Sequence, residues 1–325
     1  MKERTSLVSI VSPAFNEEQV VSESYRRLTK VMQSANIEYE LIFVNDGSVD
    51  HTGKILAEIC EMDSHVRLLD LSRNFGQMAS ITAGIQYSRG DAVIIIDIDL
   101  QDPPEVILQM IDKWREGYDV VYGKRIKRKD ETLFKKAVSK LFFMVLKGMT
   151  DVDVPLGSGE FQLLDRRVCD CLLKLPERNR YIRGLISWVG FNQTGVEFVR
   201  EGRYAGKTKY PLKKLTNLAI NGFTCMTYKP MRISAYVGLV SFFLCFAGIL
   251  IYMVSSLVHQ RGISLVELLL LVNLLFTSVI FIMLGVKGEY LGKVYEEIKG
   301  RPLYVVKEIS GFEANDEPIK KHAMK

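Results

Sequence analysis

The sequence predicts an α/β domain with a mostly parallel sheet, followed by two segments that are long enough to cross a membrane. Strand-like and helix-like patterns alternate over residues 1–230 of the 325-residue chain, and the strands are continuous apolar runs such as 92–96. Both observations are typical of a parallel sheet that helices cover on both faces. The excess of apolar residues in the chain lies mostly after Arg232. A chain of 325 residues has room for more than one domain, so this part can form a second structural unit.

Hydrophobic periodicity places the elements in order. The predicted strands lie at 7–11, 39–45, 66–71, 92–96 and 119–122. The predicted helices lie at 18–35, 52–62, 77–88 and 103–114. Pro103 and Pro104 can occupy the first turn of the last helix. A short strand at 303–306 can pair with its own domain or with a second copy of the chain, since exposed strand edges invite pairing, and a homo-oligomer is left open.

Two apolar stretches near the C-terminus predict a transmembrane hairpin. Residues 233–258 carry no charge, and residues 264–286 carry only Glu267 near one end; about 20 apolar residues suffice to cross a bilayer. Lysine and arginine flank the outer ends, whereas the loop between the stretches holds one arginine. By the positive-inside rule the domain at 1–230 and a C-terminal segment at 289–325 are both cytoplasmic. The alternative, a pair of buried core helices, is disfavoured by the length of the first stretch.

The basic segments of the chain also favour a membrane as partner. Eight lysines and arginines lie between 124 and 140, directly before an apolar run at 141–146. This pattern predicts an amphipathic helix near 131–149 at a membrane with anionic lipids, and 211–226 is a second candidate. An ordinary solvated face is the alternative for each helix. A nucleic-acid site would also be basic, but the apolar stretches favour the membrane, and no nucleic-acid partner is expected.

A cluster of carboxylates follows the apolar run at 92–96. Asp97 and Asp99 are spaced by two, and on an extended chain such residues point the same way; Gln101 can follow if the extension continues. In open α/β sheets, ligands bind beyond the carboxyl ends of the strands. Oxygen donors at that point suit Mg²⁺ or Mn²⁺, which bind through one or two carboxylates together with substrate phosphates. On its own the motif favours a solvated acidic turn.

Three loops, each directly after a predicted strand, together resemble the family 2 glycosyltransferases. The loops lie at 13–17, 45–50 and 97–101. The resemblance implies a GT-A type nucleotide-sugar-binding domain, in which the first two loops hold the nucleoside and the third holds a metal ion on the diphosphate. Asp46 would then read the uracil edge through a charge-assisted hydrogen bond. A plain turn with a helix cap is compatible with the same residues.

Further runs narrow the resemblance to the polyprenyl-phosphate glycosyltransferases, which include bactoprenol glucosyltransferases and dolichol-phosphate mannose synthases. The runs lie at 71–76, 99–105, 177–184 and 203–210, and the predicted hairpin is similar to the bactoprenol glucosyltransferase branch. The resemblance implies transfer of one hexosyl unit, with inversion, from a nucleotide sugar to undecaprenyl phosphate at the bacterial inner membrane, for modification of cell-envelope glycans. UDP-glucose is the expected donor, and GDP-mannose or an amino-sugar donor is the alternative.

The resemblance also assigns roles to individual residues. The expected nucleotide-sugar-binding residues are Pro13, Ala14, Asn16, Glu17, Asp46, Arg73, Gly76 and Asp97. The expected ligands of Mg²⁺ or Mn²⁺ are Asp97, Asp99 and Gln101. The expected clamps for the acceptor phosphate or the diphosphate are Arg125, Arg203 and Lys209, which can alternatively attract lipid headgroups without specificity. The residues expected to carry catalysis are Asp99, Glu160, Arg203 and Lys209.

Glu160 is the general base that the resemblance implies, with Asp165 as a second candidate. Relatives often carry Asp where Glu160 stands, and Ser where Thr208 stands. A phosphate monoester has its second pKa at about 6, so the acceptor is largely ionised at neutral pH. Glu160 can therefore orient the acceptor or a clamp instead of removing a proton.

Two other functions are compatible with parts of the sequence. A processive polysaccharide synthase would carry a Gln-x-x-Arg-Trp motif and more membrane spans, and the sequence has neither. A non-catalytic scaffold or flippase subunit is disfavoured by the intact acidic and basic motifs and by the nearly uncharged spans. The five cysteines lack metal-site spacing, which predicts reduced thiols.

Overall fold

The computed structural model describes residues 7–126, 155, 158–202, 229–259 and 265–312. These residues form two compact units. The first unit contains the described residues up to 202 together with 302–312, and the second contains the described residues between 229 and 301. The segment after the second apolar stretch therefore returns to the α/β unit.

The helices and strands of the described residues alternate along the first unit. The strands are β1 Val8–Ala14, β2 Tyr39–Asn45, β3 Val66–Leu71, β4 Ala92–Ile95, β5 Val120–Arg125, β6 Ser158–Asp165, β7 Gln193–Phe198 and β8 Val306–Ser310. The helices of this unit are α1 Val21–Ser34, α2 Thr52–Met62, α3 Gln77–Tyr87, α4 Val106–Arg115, α5 Arg166–Lys174 and α6 Ile182–Trp188. The second unit contains α7 Lys229–His259 and α8 Leu265–Ile298.

The eight strands form one sheet in the order β7-β5-β6-β4-β1-β2-β3-β8. β1 is parallel to β2 and β4, β2 is parallel to β3, and β5 is parallel to β7. β6 is antiparallel to β4 and β5, and β8 is antiparallel to β3. The predicted α/β fold with a mostly parallel sheet is therefore confirmed. The carboxyl ends of β4, β1 and β2 lie side by side, where the three predicted loops begin.

The burial of the central strands in the core explains why the sequence predicted them. Every residue of β2 is buried, and so are Ile10 of β1 and Met32 of α1. Trp114 of α4 is also buried, and its Nε1–H donates to Asp165 Oδ2 at 2.8 Å. Strands that are covered on both faces read as continuous apolar runs. β6 escaped prediction because Gly159, Glu160 and Gln162 interrupt its apolar pattern.

Two boundaries near the site differ from the predictions for structural reasons. β1 continues through Pro13, which pairs in register with Val44. α1 begins at Val21, three residues later than predicted. The backbone N–H group of Glu17 donates to the side chain of Thr52 at the start of α2, and that of Glu18 donates to Asp50 in the loop after β2. This segment is therefore a loop that contacts the next loop, and the helix starts after it.

The chain after α8 pairs with its own sheet rather than being left as a free edge. β8 begins at Val306, three residues after the start of the predicted strand, and residues 303–305 lead into it without strand geometry. The Ser72 N–H donates to the Val305 carbonyl at 2.9 Å. Tyr304 is buried, and its hydroxyl donates to Gln86 Oε1 at 2.7 Å. β8 therefore covers the edge of β3. Of the two predicted possibilities for this strand, pairing with its own domain is the one observed.

The second unit supports one of the two predicted membrane spans. Among the described residues, Leu268–Ile298 is the one helical segment long and apolar enough to cross a membrane, and none of its most apolar stretch is buried. Tyr236–Gly248 in α7 is a shorter apolar stretch. The two helices contact each other where Gly238 faces Met283. The two-span hairpin is therefore not confirmed, and the first span stays a prediction.

Several predicted features lie outside the described residues. They are the surface helices near 131–149 and 211–226, the two phosphate clamps Arg203 and Lys209, and the loop at 260–264.

Candidate active site

The loops that follow β1 and β2 hold each other through side chains. The Asn16 N–H donates to Ser48 Oγ at 2.9 Å, and the Val49 N–H donates to Asn16 Oδ1 at 2.9 Å. Asn16 has φ 54°, a left-handed conformation that asparagine adopts more readily than most residues. The Glu17 N–H donates to Thr52 Oγ1 at 2.8 Å. Asn16 and Glu17 therefore set the shape of the predicted nucleoside loops.

Asp46 fixes the loop that follows β3. It is 3% exposed, and it accepts hydrogen bonds from the backbone N–H groups of Phe75 and Gly76 at 2.7 and 3.0 Å. Burial raises the pKa of Asp46, although these two hydrogen bonds act in the opposite direction. The residue predicted to read uracil thus contacts Gly76, another predicted binding residue. Each carboxylate oxygen can accept a second hydrogen bond, so the uracil role stays a prediction.

Gly47 is required where these loops meet. Its φ is 65°, and a Cβ atom there would lie 2.4 Å from the backbone carbonyl carbon of Arg73. A left-handed conformation and a backbone contact this close are both available to glycine alone. Gly47 therefore lets the 73–76 loop, which carries Arg73 and Gly76, pack directly on the loop after β2.

A cavity of about 750 Å³ lies beside these loops at the ends of β2 and β3. Its lining includes the aromatic ring of Phe15, Ser48, Arg73 and Lys307. Among the described lining residues, Arg73 is the one that was predicted to bind the nucleotide sugar. Lys307 comes from β8, and its Nζ lies 3.2 Å from Asp70 Oδ2. An aromatic face with hydroxyl and cationic groups around it suits a nucleobase and its ribose.

The Asp-x-Asp turn differs from the extended geometry that was expected. β4 ends at Ile95, residues 98 and 99 form a turn, and Leu100 has φ 57°. The extended geometry from which a common direction of Asp97 and Asp99 was argued is therefore absent, and the extension on which Gln101 depended does not continue. Asp97 Oδ1 instead accepts a hydrogen bond from Gln77 Nε2 at 2.7 Å, and the Gln101 N–H donates to Asp99 Oδ1 at 3.1 Å. A side-chain role for Gln101 at a metal stays a prediction.

Negative charge is concentrated at this turn. Burial raises the pKa of Asp97 to about 7, and the charges of Asp99, Asp102 and Glu160 act in the same direction. A divalent cation would relieve this repulsion. Within the described ranges, no group of three or more His, Cys, Asp or Glu side chains is arranged to hold a metal ion. A two-carboxylate site still fits Mg²⁺ or Mn²⁺, because these ions commonly take their remaining ligands from water and substrate phosphate.

Asp102 joins two arginines beside the turn. It is 1% exposed; its Oδ2 lies 3.1 Å from an Nη2 nitrogen of Arg125, and its Oδ1 lies 3.3 Å from Nε of Arg200. Arg125 is the last residue of β5, and Arg200 follows β7 by two residues. A Cβ atom at Gly159 would lie 2.4 Å from the Arg125 guanidinium, so glycine in β6 makes room for it. Arg125 thus lies at the predicted site, paired with Asp102.

Glu160 is held in the same region by Arg183. Glu160 Oε1 lies 2.8 Å from Arg183 Nε, and the Glu160 side chain is 10% exposed. Its second oxygen, Oε2, is buried and has no hydrogen-bond partner among the described residues. Burial raises the pKa of Glu160, against the opposing charges of Arg183 and Arg125. The geometry shows a carboxylate with one anchored oxygen and one oxygen left for another group.

Asp165, the second candidate base, lies at the other end of β6. It pairs in register with Ala92, at the start of β4. It caps α5 by accepting from the Arg167 N–H at 3.0 Å. Burial raises the pKa of Asp165, but hydrogen bonds from Trp114 and Arg167 outweigh that effect and lower it. The catalytic expectation for Asp165 is therefore wrong, because the residue is a helix cap remote from the carboxylate turn.

Sequence reasoning missed four side chains that the fold brings to the site: Gln77, Asp102, Arg183 and Arg200. Asp102 lies inside the 99–105 run that supported the family resemblance, but no role at the site was assigned to it. Arg183 lies inside a run that supported the family resemblance, which was a usable signal. No local pattern in the sequence marked Arg200 or Gln77 as a site residue, because their positions depend on strands and loops that are distant in sequence.

Comparison with known proteins assigns the family. The family model for glycosyl transferase family 2 matches residues 9–173. An uncharacterized glycosyltransferase, YkcC of Bacillus subtilis, is 48% identical over 305 residues, which is 94% of each chain. The chain belongs to glycosyl transferase family 2. The matched region runs from β1 into α5 and contains all three site loops, Arg125 and Glu160.

A second curated relative and a solved structure are also similar to this chain. The SfII prophage-derived bactoprenol glucosyl transferase of Shigella flexneri is 36% identical over 300 residues, covering 92% of this chain and 97% of that protein. A solved structure, the mannosyltransferase PcManGT of Pyrobaculum calidifontis in complex with GDP-Man and Mn²⁺, is 15% identical. Its TM-score is 0.48, with 90% of this chain and 87% of that one covered.

Proposed function

We propose that this protein is a membrane-anchored, metal-dependent glycosyltransferase that moves one hexosyl unit from a nucleotide sugar to a polyprenyl monophosphate. The observation that carries the proposal is the placement of two kinds of charge at one sheet edge. Asp97 and Asp99 provide a carboxylate turn suited to a divalent cation, and Arg125 and Arg200 provide cations beside it. A donor diphosphate and an acceptor phosphate need both.

The donor in this proposal is a nucleotide sugar, with UDP-glucose first. The cavity at the ends of β2 and β3 would take the nucleoside, and Asp97 and Asp99 would hold Mg²⁺ or Mn²⁺. When bound, that ion would neutralise the leaving diphosphate as a Lewis acid. The glucosyl assignment is supported by the name of the Shigella flexneri relative. GDP-mannose and amino-sugar donors stay as alternatives on the same scaffold.

The acceptor in this proposal is undecaprenyl phosphate. At neutral pH its monoester is largely a dianion, because its second pKa is about 6. One of its oxygens would attack the anomeric carbon, forming a carbon–oxygen bond as the bond to the nucleoside diphosphate breaks. The displaced electron pair leaves on the diphosphate, and the configuration at the anomeric carbon inverts. Glu160, anchored by Arg183, would orient the acceptor or a clamp, since little proton transfer is required.

Membrane attachment fits this chemistry. A polyprenyl phosphate keeps its headgroup at the interface, so an enzyme that uses it works at the membrane surface. Leu268–Ile298 is able to span a bilayer by length and composition. We infer that it anchors the protein in the bacterial inner membrane with the catalytic unit in the cytoplasm, and that α7 contributes the second span.

A transfer assay tests the proposal. The full-length protein in nanodiscs would be incubated with undecaprenyl phosphate and labelled UDP-glucose, GDP-mannose or UDP-N-acetylglucosamine, with Mn²⁺ or with a chelator. The expected result is metal-dependent appearance of label in the lipid fraction with one donor, and no label when undecaprenol replaces the phosphate. The absence of lipid-linked label with every donor would overturn the proposal.

A further inference from the structure

Two arginines share one buried carboxylate beside the candidate metal turn. Asp102 contacts Arg125 with one oxygen and Arg200 with the other. The Arg125 and Arg200 side chains are 21% and 17% exposed, whereas Asp102 is almost completely buried. The arginines therefore cover the aspartate and present their remaining surface outward. Within this trio, one carboxylate faces two guanidinium groups and neutralises only one of them, and the carboxylates of Asp97 and Asp99 act on Arg200 from the neighbouring turn.

The arginines have donors left over. The Nε–H of Arg125 is buried and has no hydrogen-bond acceptor among the described residues. The Nε of Arg200 is also buried, and it faces Asp102 Oδ1 at 3.3 Å without hydrogen-bond geometry. A buried donor without an acceptor is unfavourable, and it points to a missing partner. Burial, together with the positive charge of Arg125, lowers the pKa of Arg200, against the opposing charges of Asp102, Asp99 and Asp97. A phosphate oxygen would supply the missing acceptor and weaken the repulsion between the two adjacent guanidinium groups.

The backbone fixes both arginines at this position. β5 and β7 are parallel neighbours, with Arg125 in register with Phe198, and the Ile126 N–H donates to the Phe198 carbonyl at 3.0 Å. The Glu201 N–H donates to the Gln101 carbonyl at 2.9 Å. This bond ties the loop that carries Arg200 to the loop that carries the carboxylates. The arginines are thus preorganised rather than free to move on a flexible surface.

We propose that Arg125, Asp102 and Arg200 form a phosphate clamp, in which Arg200 is a second phosphate-binding arginine and Asp102 is the positioning residue for both. The clamp binds a phosphoryl group, which offers three acceptor oxygens to two planar forks. We assign it to the monophosphate of the lipid acceptor, because the carboxylate turn and its cation already serve the donor diphosphate. This assignment to a lipid phosphate rests on the proposed function.

Binding measurements test the clamp without turnover. The full-length protein in nanodiscs would be titrated with undecaprenyl phosphate, with undecaprenol, and with UDP plus Mn²⁺. Arg200→Gln is expected to weaken binding of undecaprenyl phosphate by about tenfold or more, and to leave the affinities for undecaprenol and UDP within about twofold. Arg200→Lys keeps the charge but loses the planar guanidinium fork, so its affinity for undecaprenyl phosphate is expected to lie between those of the wild type and Arg200→Gln. Arg115→Gln, at the exposed end of α4, is the matched control and should behave like the wild type.

The outcomes separate the clamp from the transferase proposal. Unchanged binding of undecaprenyl phosphate in both Arg200 variants would overturn the clamp, and so would a loss confined to UDP, which would place the arginine on the donor. If Arg200→Gln does not fold, the Arg200→Lys titration decides. Asp102→Asn should lower kcat more than it raises the acceptor KM, with partial rescue by Asp102→Glu; equal losses for donor and acceptor would contradict the positioning role. A wild type that binds the lipid phosphate but transfers no sugar would refute the proposed function and leave the clamp standing.

Discussion

Replacing Glu160 by glutamine tests whether this carboxylate removes a proton or holds a group in place. Glutamine keeps an oxygen that can accept from Arg183 but loses the negative charge. The ion pair at 2.8 Å is largely buried, with the side chains of Arg183 and Glu160 22% and 10% exposed, and a hydrogen bond to a charged group contributes about 1.5–3 kcal/mol. If that contribution orients the acceptor, kcat/KM for the lipid phosphate should fall about 10- to 150-fold.

The pH dependence separates the two roles. The acceptor phosphate loses its second proton at about pH 6, so above about pH 7.5 a base has almost no proton left to remove. The pKa of Glu160 is raised by burial, so its charged form, and the wild-type rate, should increase as pH rises through that raised value. Glu160→Gln should lack this limb, and above it the variant should stay below the wild type by a constant factor up to pH 9.

The assay is initial-rate transfer of label to undecaprenyl phosphate between pH 6 and 9, at fixed Mn²⁺ and saturating donor. Glu197→Gln is the matched control, because Glu197 pairs with Lys124 at the surface and is 54% exposed; it should keep wild-type rates. Recovery of Glu160→Gln to wild-type activity at high pH would refute the orienting role, because a fully ionised phosphate would then have replaced the base.

Three further substitutions or truncations have defined outcomes. Gly47→Ala should cost about 1–3 kcal/mol of stability and weaken UDP binding, because its Cβ would collide with the Arg73 backbone; thermal shift and UDP titration measure this, and unchanged UDP affinity would contradict it. Glu40→Gln should destabilise the protein by about 3–5 kcal/mol, since the buried Arg67 guanidinium loses the negative charge that lies 3.1 Å from its Nε. Unfolding followed by fluorescence measures this loss, and the KM for both substrates should be unaltered in the folded enzyme. Ending the chain before Pro302 removes β8 and should lower Tm by about 5 °C or more; an unaltered Tm would mean that β8 does not support the sheet.

The parts of the fold that the sequence predicted are those that depend on local patterns. β2, β3 and α2 were placed at their observed bounds because buried strands and amphipathic helices leave a periodic record in the sequence. β6 and β7 were missed because their pairing partners lie far away in the chain, and their own residues alternate weakly. β8 was foreseen as a strand, but only the structure could show that it pairs with β3.

The candidate site divides in the same way. The carboxylate turn and the two nucleoside loops were predicted, because each follows a recognisable strand directly. The turn geometry was not predicted, since β4 ends at Ile95 and residues 98 and 99 already form a turn before Leu100, which has φ 57°. Arg200 came from a loop whose position is set by a backbone bond to Gln101. Local sequence contains no record of such long-range contacts.

The most direct test of the central claim is lipid-linked product formation by the wild type and by Asp99→Asn. Lipid extracts from reactions with undecaprenyl phosphate and UDP-glucose would be analysed by mass spectrometry, with and without Mn²⁺. We expect an undecaprenyl-phosphate–hexose ion that requires Mn²⁺ and falls at least about 100-fold with Asp99→Asn, while the fold and lipid binding persist. Product formation at the wild-type rate by Asp99→Asn, or product that forms equally well in a chelator, would contradict the claim that this turn holds the metal of a lipid-phosphate glycosyltransferase.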